Sequence, residues 1–236
     1  MIVAVGGGKG GVGKSTVATN LAREFGAVLV DADLSTPDLP RGTGPGLQEV
    51  LAGRTAPADA LERRGSFRLL PCERTLSGVR ASDRSALGRT LRRLERECDR
   101  VVVDCPAGLA RDVGTVLARS DLVALVTTPS RPALLDAVRT RRLALELETP
   151  IGVVVLNRSR DGRGEAIAAA VESRFEAPVA VVPERPAIDD ARRTQQALRD
   201  VSPDDDAVES FESIARTIRG CERRPAGSAA LVRSRE

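Results

Sequence analysis

The stretch GGGKGGVGKST, residues 6–16, constrains the fold of this 236-residue chain more than any other feature. Residues 8–15 fit the pattern G-x-x-x-x-G-K-[ST] and lie between an apolar strand-like run, IVAV at 2–5, and a helical pattern. That context is typical of a phosphate-binding loop, because glycines let successive backbone N–H groups face a phosphate and the following helix adds its positive N-terminal end. The stretch therefore predicts a strand, a tight turn and a helix that together bind a nucleoside phosphate.

Side chains and backbone of this loop have separate predicted roles. Lys14 is predicted to reach the β- and γ-phosphates, and the Ser15 hydroxyl to ligate Mg²⁺. The rest of the phosphate cradle is predicted to be the backbone of Gly8, Gly10, Gly11, Val12, Gly13 and Thr16. Lys9 and Lys14 are the only lysines of the chain, and every other basic side chain is arginine. A compact ammonium suits a phosphate clamp better than a planar guanidinium, which explains why Lys14 is kept.

Short apolar runs alternate with helical patterns along the chain. Seven runs are predicted strands, at 2–5, 27–30, 67–70, 100–103, 122–126, 151–156 and 178–182. The clearest helix is predicted over 82–98, where Leu87, Leu91, Leu94 and Cys98 form one apolar stripe. This alternation predicts an α/β fold with a doubly wound, mostly parallel β-sheet flanked by helices. We expect one domain over 1–220, a long loop at 33–46 and a disordered tail at 221–236.

Composition excludes several classes of function. The chain has no histidine, which removes imidazole bases and most transition-metal sites, and no Trp or Tyr on which nucleic-acid bases could stack. Its four cysteines form no C-x-x-C pair, which argues against an iron–sulfur or zinc site and favours a reduced, cytoplasmic protein. No signal peptide is recognised, and no apolar run approaches the roughly 20 residues of a membrane span. The net charge of +3 is mild for a nucleic-acid-binding module.

Carboxylates follow two of the predicted strands. The segment VLVDAD places Asp31 and Asp33 at one strand end, and VVVDCPAG places Asp104 at another. Ligands of open α/β sheets bind at the carboxyl ends of strands, so these side chains are expected close to the phosphate loop. One such aspartate is ordinarily a strand-end cap. Two such strand ends in a chain with a phosphate loop indicate a site.

The segment KGGVGKST resembles the deviant Walker A motif of the MinD/ParA family of ATPases, in which the first lysine is the signature. The resemblance implies a homodimer in which two subunits enclose two Mg²⁺-ATP molecules and Lys9 crosses to the phosphates of the other subunit. It implies that Asp33 orients the attacking water, that Asp31 supports the water shell of Mg²⁺, and that Asp104 holds Mg²⁺ through water. Lys9, Lys14 and Asp33 are thus the predicted catalytic residues.

Later segments are similar to the same family, in order, to about Gly220. The resemblance implies that the N–H of Gly108 senses the γ-phosphate and that Asn157 and Pro183 contact the adenine. It also aligns Asp136 with an acid near the signature lysine. The segment 181–188 is similar to the second loop on the adenine side, and 47–53 to a short helix.

The resemblance implies an ATP hydrolase whose ATP/ADP cycle positions or regulates an activator or cargo protein, for example at a division site or a cell pole. Two alternatives stay open. One is a ParA-like DNA segregation ATPase that binds DNA through surface arginines, and the other is a nucleotide-gated regulatory module with incidental hydrolysis. The tail lacks the apolar helical spacing of MinD's membrane-targeting helix, which argues against stable membrane binding. The missing C-x-x-C argues against the iron–sulfur carriers of the wider group.

Overall fold

Eight strands form a single sheet in the order β3-β4-β2-β5-β1-β6-β7-β8. The computed structural model describes residues 1–34, 39–40, 42–72, 84–108 and 111–222. The strands are β1 (Ile2–Gly6), β2 (Val28–Asp31), β3 (Glu62–Arg64), β4 (Phe67–Leu70), β5 (Val101–Asp104), β6 (Leu122–Thr127), β7 (Ile151–Ser159) and β8 (Val179–Pro183). All neighbouring strands pair in parallel except β3 and β4. The seven predicted strands and the mostly parallel α/β fold are confirmed.

Helices cover both faces of this sheet. They are α1 (Lys14–Phe25), α2 (Leu47–Leu51), α3 (Leu87–Cys98), α4 (Arg111–Leu117), α5 (Arg131–Glu146), α6 (Arg163–Phe175), α7 (Pro186–Arg193), α8 (Leu198–Val201) and α9 (Ala207–Glu222), with short 3₁₀ turns at Pro57–Ala60 and Arg84–Ala86. Alternate residues of β1 serve the two apolar layers. Ile2 and Ala4 pack in the layer under α2 to α6, and Val3 and Val5 pack under α1 and α7 to α9. The sheet is therefore buried on both sides, as a doubly wound fold requires.

Strand β3 was missed by the sequence analysis. Its three residues, ERR, are all charged and show no apolar alternation. It pairs antiparallel with β4, and the connecting Gly65 has a φ of +56° in the left-handed region. The edge position explains the composition, because an edge strand with charged side chains is protected from pairing with another sheet.

The predicted helix over 82–98 is confirmed in its described part. The turn Arg84–Ala86 leads into α3, where Leu87, Leu91 and Leu94 are buried and Cys98 is half-buried. Residues 82–83, and 35–38 and 41 of the predicted long loop, lie outside the described residues. No helix in the described ranges is long and apolar enough to cross a membrane.

The last helix corrects the predicted start of the tail. α9 continues to Glu222, so it includes the first two residues that were expected to be disordered. The Glu222 carboxylate pairs with Arg100 at 3.1 Å, which holds this end of the helix beside the start of β5. Arg219 adds a hydrogen bond to the Glu24 carbonyl and lies over the ring of Phe25. The rest of the predicted tail, 223–236, lies outside the described residues.

Phe211→Ala is expected to lower the free energy of unfolding by about 3–5 kcal/mol. Phe211 of α9 is 1% exposed in the apolar layer that α9 shares with α1, so its truncation leaves a cavity in that layer. Chemical denaturation followed by circular dichroism measures the change. Val201→Ala, at a side chain that is 38% exposed, is the control and is expected to cost much less. Equal losses for the two variants would contradict the assigned packing of α9.

Candidate functional site

The turn between β1 and α1 has the backbone geometry of a phosphate cradle. Gly13 immediately precedes α1 with a φ of +94°, and a Cβ placed on it would lie 2.1 Å from Nδ2 of Asn157. Only glycine fits this position without displacing a neighbour. No acidic residue stands in the first turn of α1, and the N-cap makes no side-chain hydrogen bond to it. The first N–H groups of the helix are therefore available to an anion.

The start of the loop packs closely against α5. A Cβ on Gly8 would lie 2.3 Å from the carbonyl oxygen of Asp136, so this contact also requires glycine. The Asp136 carboxylate accepts a hydrogen bond from Arg139 at 2.9 Å. Asp136 thus lies beside the loop that carries Lys9, but its charge is paired within α5, and the role that the family resemblance gives it stays a prediction.

The two lysines occupy different environments. Lys14 is only 8% exposed, and its aliphatic chain lies over Gly7, where an added Cβ would be 3.4 Å from the lysine Cδ. Lys9 is exposed. Within the described residues neither ammonium lies within ion-pair distance of a carboxylate. A buried ammonium without a counter-charge is costly, which favours an anionic ligand at Lys14.

Three adjacent strand ends bring the predicted carboxylates to the phosphate loop. Asp31 and Asp104 are register partners on β2 and β5, and Asp104 is also the register partner of Val5 on β1. Backbone hydrogen bonds continue the pairing past the strands, from Ala32 N to Asp104 O at 3.0 Å and from Cys105 N to Val5 O at 3.1 Å. The sheet order, with β5 between β2 and β1, therefore creates the predicted cluster.

Asp31 is a buried carboxylate with an incomplete set of hydrogen bonds. It is 1% exposed, its Oδ1 accepts the Asp33 N–H at 3.1 Å, and its Oδ2 is buried with no hydrogen-bond partner among the described residues. Burial, and then the negative charge of Asp104, raises the pKa of Asp31 well above its ordinary value. A nearby cation would offset both effects.

The carboxylate and hydroxyl oxygens beside the phosphate loop suit Mg²⁺ better than a metal ion whose ligands all come from protein side chains. The predicted ligands are Asp31, Asp104 and the hydroxyl of Ser15, and the described residues contain no group of three or more His, Cys, Asp or Glu side chains that could hold a metal ion. Mg²⁺ keeps several waters and uses one or two carboxylates together with substrate phosphates. The residues present therefore fit a Mg²⁺ ion bound together with a nucleotide.

Two predicted residues of the reaction centre lie on the loops that follow β2 and β5. Asp33 is half-buried, two residues after Asp31, and its backbone carbonyl accepts a hydrogen bond from the Cys72 thiol at 3.4 Å. Gly108 has a φ of +85° in the loop after β5. In the same loop, Ala107 lies 4.0 Å from where a Cβ on Gly10 would stand, so this loop borders the phosphate cradle. The roles of Asp33 and Gly108 stay predictions.

Asn157 and Pro183 come together beside the first turn of α1. They line one small cavity with Thr16, at the carboxyl ends of β7 and β8. The Asn157 side chain is buried, and its Nδ2 donates to the Val12 carbonyl at 2.8 Å. Asn157 therefore braces the phosphate loop, which sequence reasoning did not find, and contact with an adenine stays a prediction for both residues.

A larger cavity of about 360 Å³ begins at the phosphate loop and runs along α1. Its volume is in the range of small-molecule sites. Its walls include Lys14 and Thr16, and Ile188 and Arg192 of α7. Sequence reasoning described 181–188 only as a loop, whereas α7 begins at Pro186. Proline in the first turn of a helix was the available signal for this helix.

Comparisons with known proteins agree with this geometry. Residues 3–198 match the family model described as the CobQ/CobB/MinD/ParA nucleotide binding domain. An uncharacterized ATP-binding protein of Methanocaldococcus jannaschii is 31% identical over 232 residues, which cover 93% of this chain and 88% of that protein.

Two solved structures resemble the whole fold. The cell division ATPase MinD of Pyrococcus furiosus matches with a TM-score of 0.85 and 29% identity, over 93% of this chain and 98% of that one. The septum site-determining protein MinD of Pyrococcus horikoshii OT3, in complex with Mg-ADP, matches with a TM-score of 0.85 and 26% identity, over 94% and 97% of the two chains. The likeness extends over the sheet and the helices on both of its faces.

Proposed function

Because this chain belongs to the MinD/ParA family of P-loop ATPases, we propose that it is a Mg²⁺-dependent ATPase that dimerises on binding ATP and uses the ATP/ADP cycle to position or regulate a partner protein. One observation carries the proposal. The phosphate loop with its buried Lys14 and the carboxylates of Asp31 and Asp104 meet at the ends of three adjacent strands. Each of these groups suits one part of a Mg²⁺-ATP molecule.

In this proposal, different residues of the chain bind the nucleotide and promote its hydrolysis. The amides of the phosphate loop and Lys14 hold the β- and γ-phosphates, while Ser15 would ligate Mg²⁺, Asp104 would hold it through water and Asp31 would support its water shell. When bound, Mg²⁺ supplies positive charge against the charge that develops on the transferred phosphoryl group. Asp33, half-buried beside this cluster, orients the water that attacks the γ-phosphorus. The similar MinD of Pyrococcus horikoshii holds Mg-ADP, which supports the pairing of nucleotide and metal.

In the proposed dimer, Lys9 contacts the phosphates that are bound by the other subunit. It is exposed at the outer turn of the loop and has no ion-pair partner among the described residues. An exposed ammonium beside the phosphate cradle is well placed to meet the phosphates of a second copy. There it would supply the charge that an arginine finger gives in related nucleotide hydrolases.

We assign the output of the cycle to a protein partner rather than to DNA. On α3, Arg92 pairs with Glu95 and Asp121, and Arg93 pairs with Glu97. Within the described residues these acids divide the arginine-rich surface of α3, so no continuous positive stripe forms along that helix. We also assign the cycle to the cytoplasm, because none of the four cysteines forms a disulfide, as in a reducing compartment.

Asp33→Ala is expected to bind Mg²⁺-ATP normally, to hydrolyse it at least about 100-fold more slowly and to accumulate as a dimer. The groups that hold the nucleotide are unchanged, while the attacking water loses its orienting carboxylate. Phosphate release measures turnover, and light scattering in the presence of ATP measures dimerisation. A protein that stays monomeric in ATP would show that Asp33 has another role.

Glu172→Ala is the matched control for this variant. Glu172 is an exposed carboxylate near the end of α6, which leads into the start of β8 and so lies at the edge of the sheet opposite the site. Its removal is expected to leave turnover and dimerisation unchanged. Hydrolysis lost in both variants would point to a general effect of charge.

A further inference from the structure

Two buried polar side chains that the proposed chemistry does not use lie behind Asp33. Gln48 of α2 is fully buried, and Cys72, just after β4, is 2% exposed. The Gln48 amide Nε2 donates to the Cys72 Sγ at 2.8 Å, and the Cys72 Sγ lies 3.4 Å from the Asp33 carbonyl oxygen, to which it donates. The three residues form one hydrogen-bonded relay that ends on the backbone of Asp33.

The same region closes the base of the loop at 33–46. Asp33 begins this loop, and α2 follows it. The Leu47 N–H donates to the Pro71 carbonyl at 2.7 Å, next to the contact between Gln48 and Cys72. A Cβ on Gly42 would come within 2.6 Å of the Pro71 ring, so the loop passes close to this point again. Both ends of the loop are therefore attached to residues 71–72.

A buried amide at this position needs a physical reason. Its neighbours in α2, Leu47, Val50 and Leu51, are apolar and buried, so a leucine at position 48 would suit the same layer. Burying an amide costs free energy unless its hydrogen bonds are satisfied. A thiol is one of the few small side chains that can accept from Gln48 and donate to Asp33 at the same time.

We propose that Gln48 and Cys72 are positioning residues for Asp33. The relay holds the Asp33 backbone so that its carboxylate can orient the attacking water. This inference rests on the proposed role of Asp33 in ATP hydrolysis. Disturbing the relay should lower kcat while leaving the KM for ATP nearly unchanged, because neither Lys14 nor the amides of the phosphate loop belong to it.

Three variants test the relay, with phosphate release measured over a range of ATP concentrations. Cys72→Ala removes the hydrogen bonds with Gln48 and Asp33, and its kcat is expected to fall about fivefold while KM stays within about twofold. Cys72→Ser is expected to recover at least about half of the lost rate, because a hydroxyl can also accept and donate. Gln48→Met keeps the volume without the N–H group and is expected to lower kcat by a smaller factor, since the contact between Cys72 and Asp33 remains.

Cys221→Ala is the matched control. The Cys221 thiol also donates to a carbonyl, that of Thr217 at 3.5 Å, but within α9 and away from Asp33. Its kcat is expected to equal that of the wild type. Thermal melting of every variant shows whether it folds, and Cys72→Ser and Gln48→Met carry the test if Cys72→Ala does not.

The results separate this inference from the proposed function. Wild-type kcat in folded Cys72 and Gln48 variants, with Asp33→Ala inactive, would overturn the relay alone. A raised KM with unchanged kcat, or a serine variant no faster than the alanine variant, would also overturn it. Normal hydrolysis by Asp33→Ala would overturn the role of Asp33, and the relay with it.

Discussion

Lys14→Ala is expected to bind ATP at least about 100-fold more weakly than the wild type. Lys14 is the buried ammonium at the start of α1, and within the described residues it has no carboxylate partner. Its removal leaves the β- and γ-phosphates with the loop amides as their main support within the subunit. Isothermal titration calorimetry with ATP and Mg²⁺ measures the loss.

Lys9→Ala is the control for this measurement, since it removes the only other lysine, from the same loop. It is expected to bind ATP as the wild type does when the protein is monomeric. An affinity of Lys14→Ala within about tenfold of the wild type would contradict the assignment of residues 8–15 as a phosphate loop.

Lys9→Ala is in turn expected to lose ATP-dependent dimerisation and hydrolysis while it keeps nucleotide binding. Lys9 is exposed, so within one subunit the phosphates keep Lys14 and the loop amides. Across the dimer, each active site would lack the ammonium contributed by the other subunit. Sedimentation with a non-hydrolysable ATP analogue measures the association, and phosphate release measures turnover.

Lys9→Arg is expected to fail as well, although it keeps the positive charge. A guanidinium is wider and planar, whereas a phosphate slot between two subunits favours a compact ammonium. Arg174→Ala is the control, because it removes an exposed charge near the end of α6, at the opposite edge of the sheet. A Lys9→Arg protein that dimerises and turns over normally would mean that the lysine at position 9 has no special purpose.

The two proposed roles would explain why a chain rich in arginine has lysine only at positions 9 and 14. Lys14 is partly buried over Gly7 and is proposed to act within its own subunit, whereas Lys9 is exposed and is proposed to reach the phosphates of a second copy. Both roles require a small point charge close to phosphate oxygens. If Lys14→Ala and Lys9→Ala lost different steps, binding in one and association in the other, the two roles would be separated experimentally.

Local patterns in the sequence were enough to predict the frame of the site. Continuous apolar runs such as RVVV at 100–103 predicted buried parallel strands, because a strand covered on both faces carries apolar residues at successive positions. The glycines and Lys14 predicted the turn between β1 and α1. Asp31 and Asp104 were expected near that turn because the carboxyl ends of parallel strands meet at one edge of the sheet.

Other features depended on contacts between distant parts of the chain. β3 is a strand only because Phe67 and its neighbours provide a partner for three charged residues. Asn157 braces the Val12 carbonyl, 145 positions earlier in the chain. Gln48 and Cys72 meet Asp33 because α2 and the end of β4 pack at the same place. None of these residues carries a local pattern that predicts its partner.

The sequence by itself determined the fold class, the phosphate loop and the family resemblance, since each depends on residues close together in the chain. Only the tertiary structure decided that Asp31 is a buried carboxylate whose pKa is raised by burial and by Asp104, and that the Asp33 backbone is held by Cys72. The physical reason is that hydrogen bonds and charge interactions depend on distance in space, whereas periodicity and turn chemistry depend on distance along the chain. The order of strands in the sheet brings residues that are distant along the chain close together in space. Here it places β5 between β2 and β1.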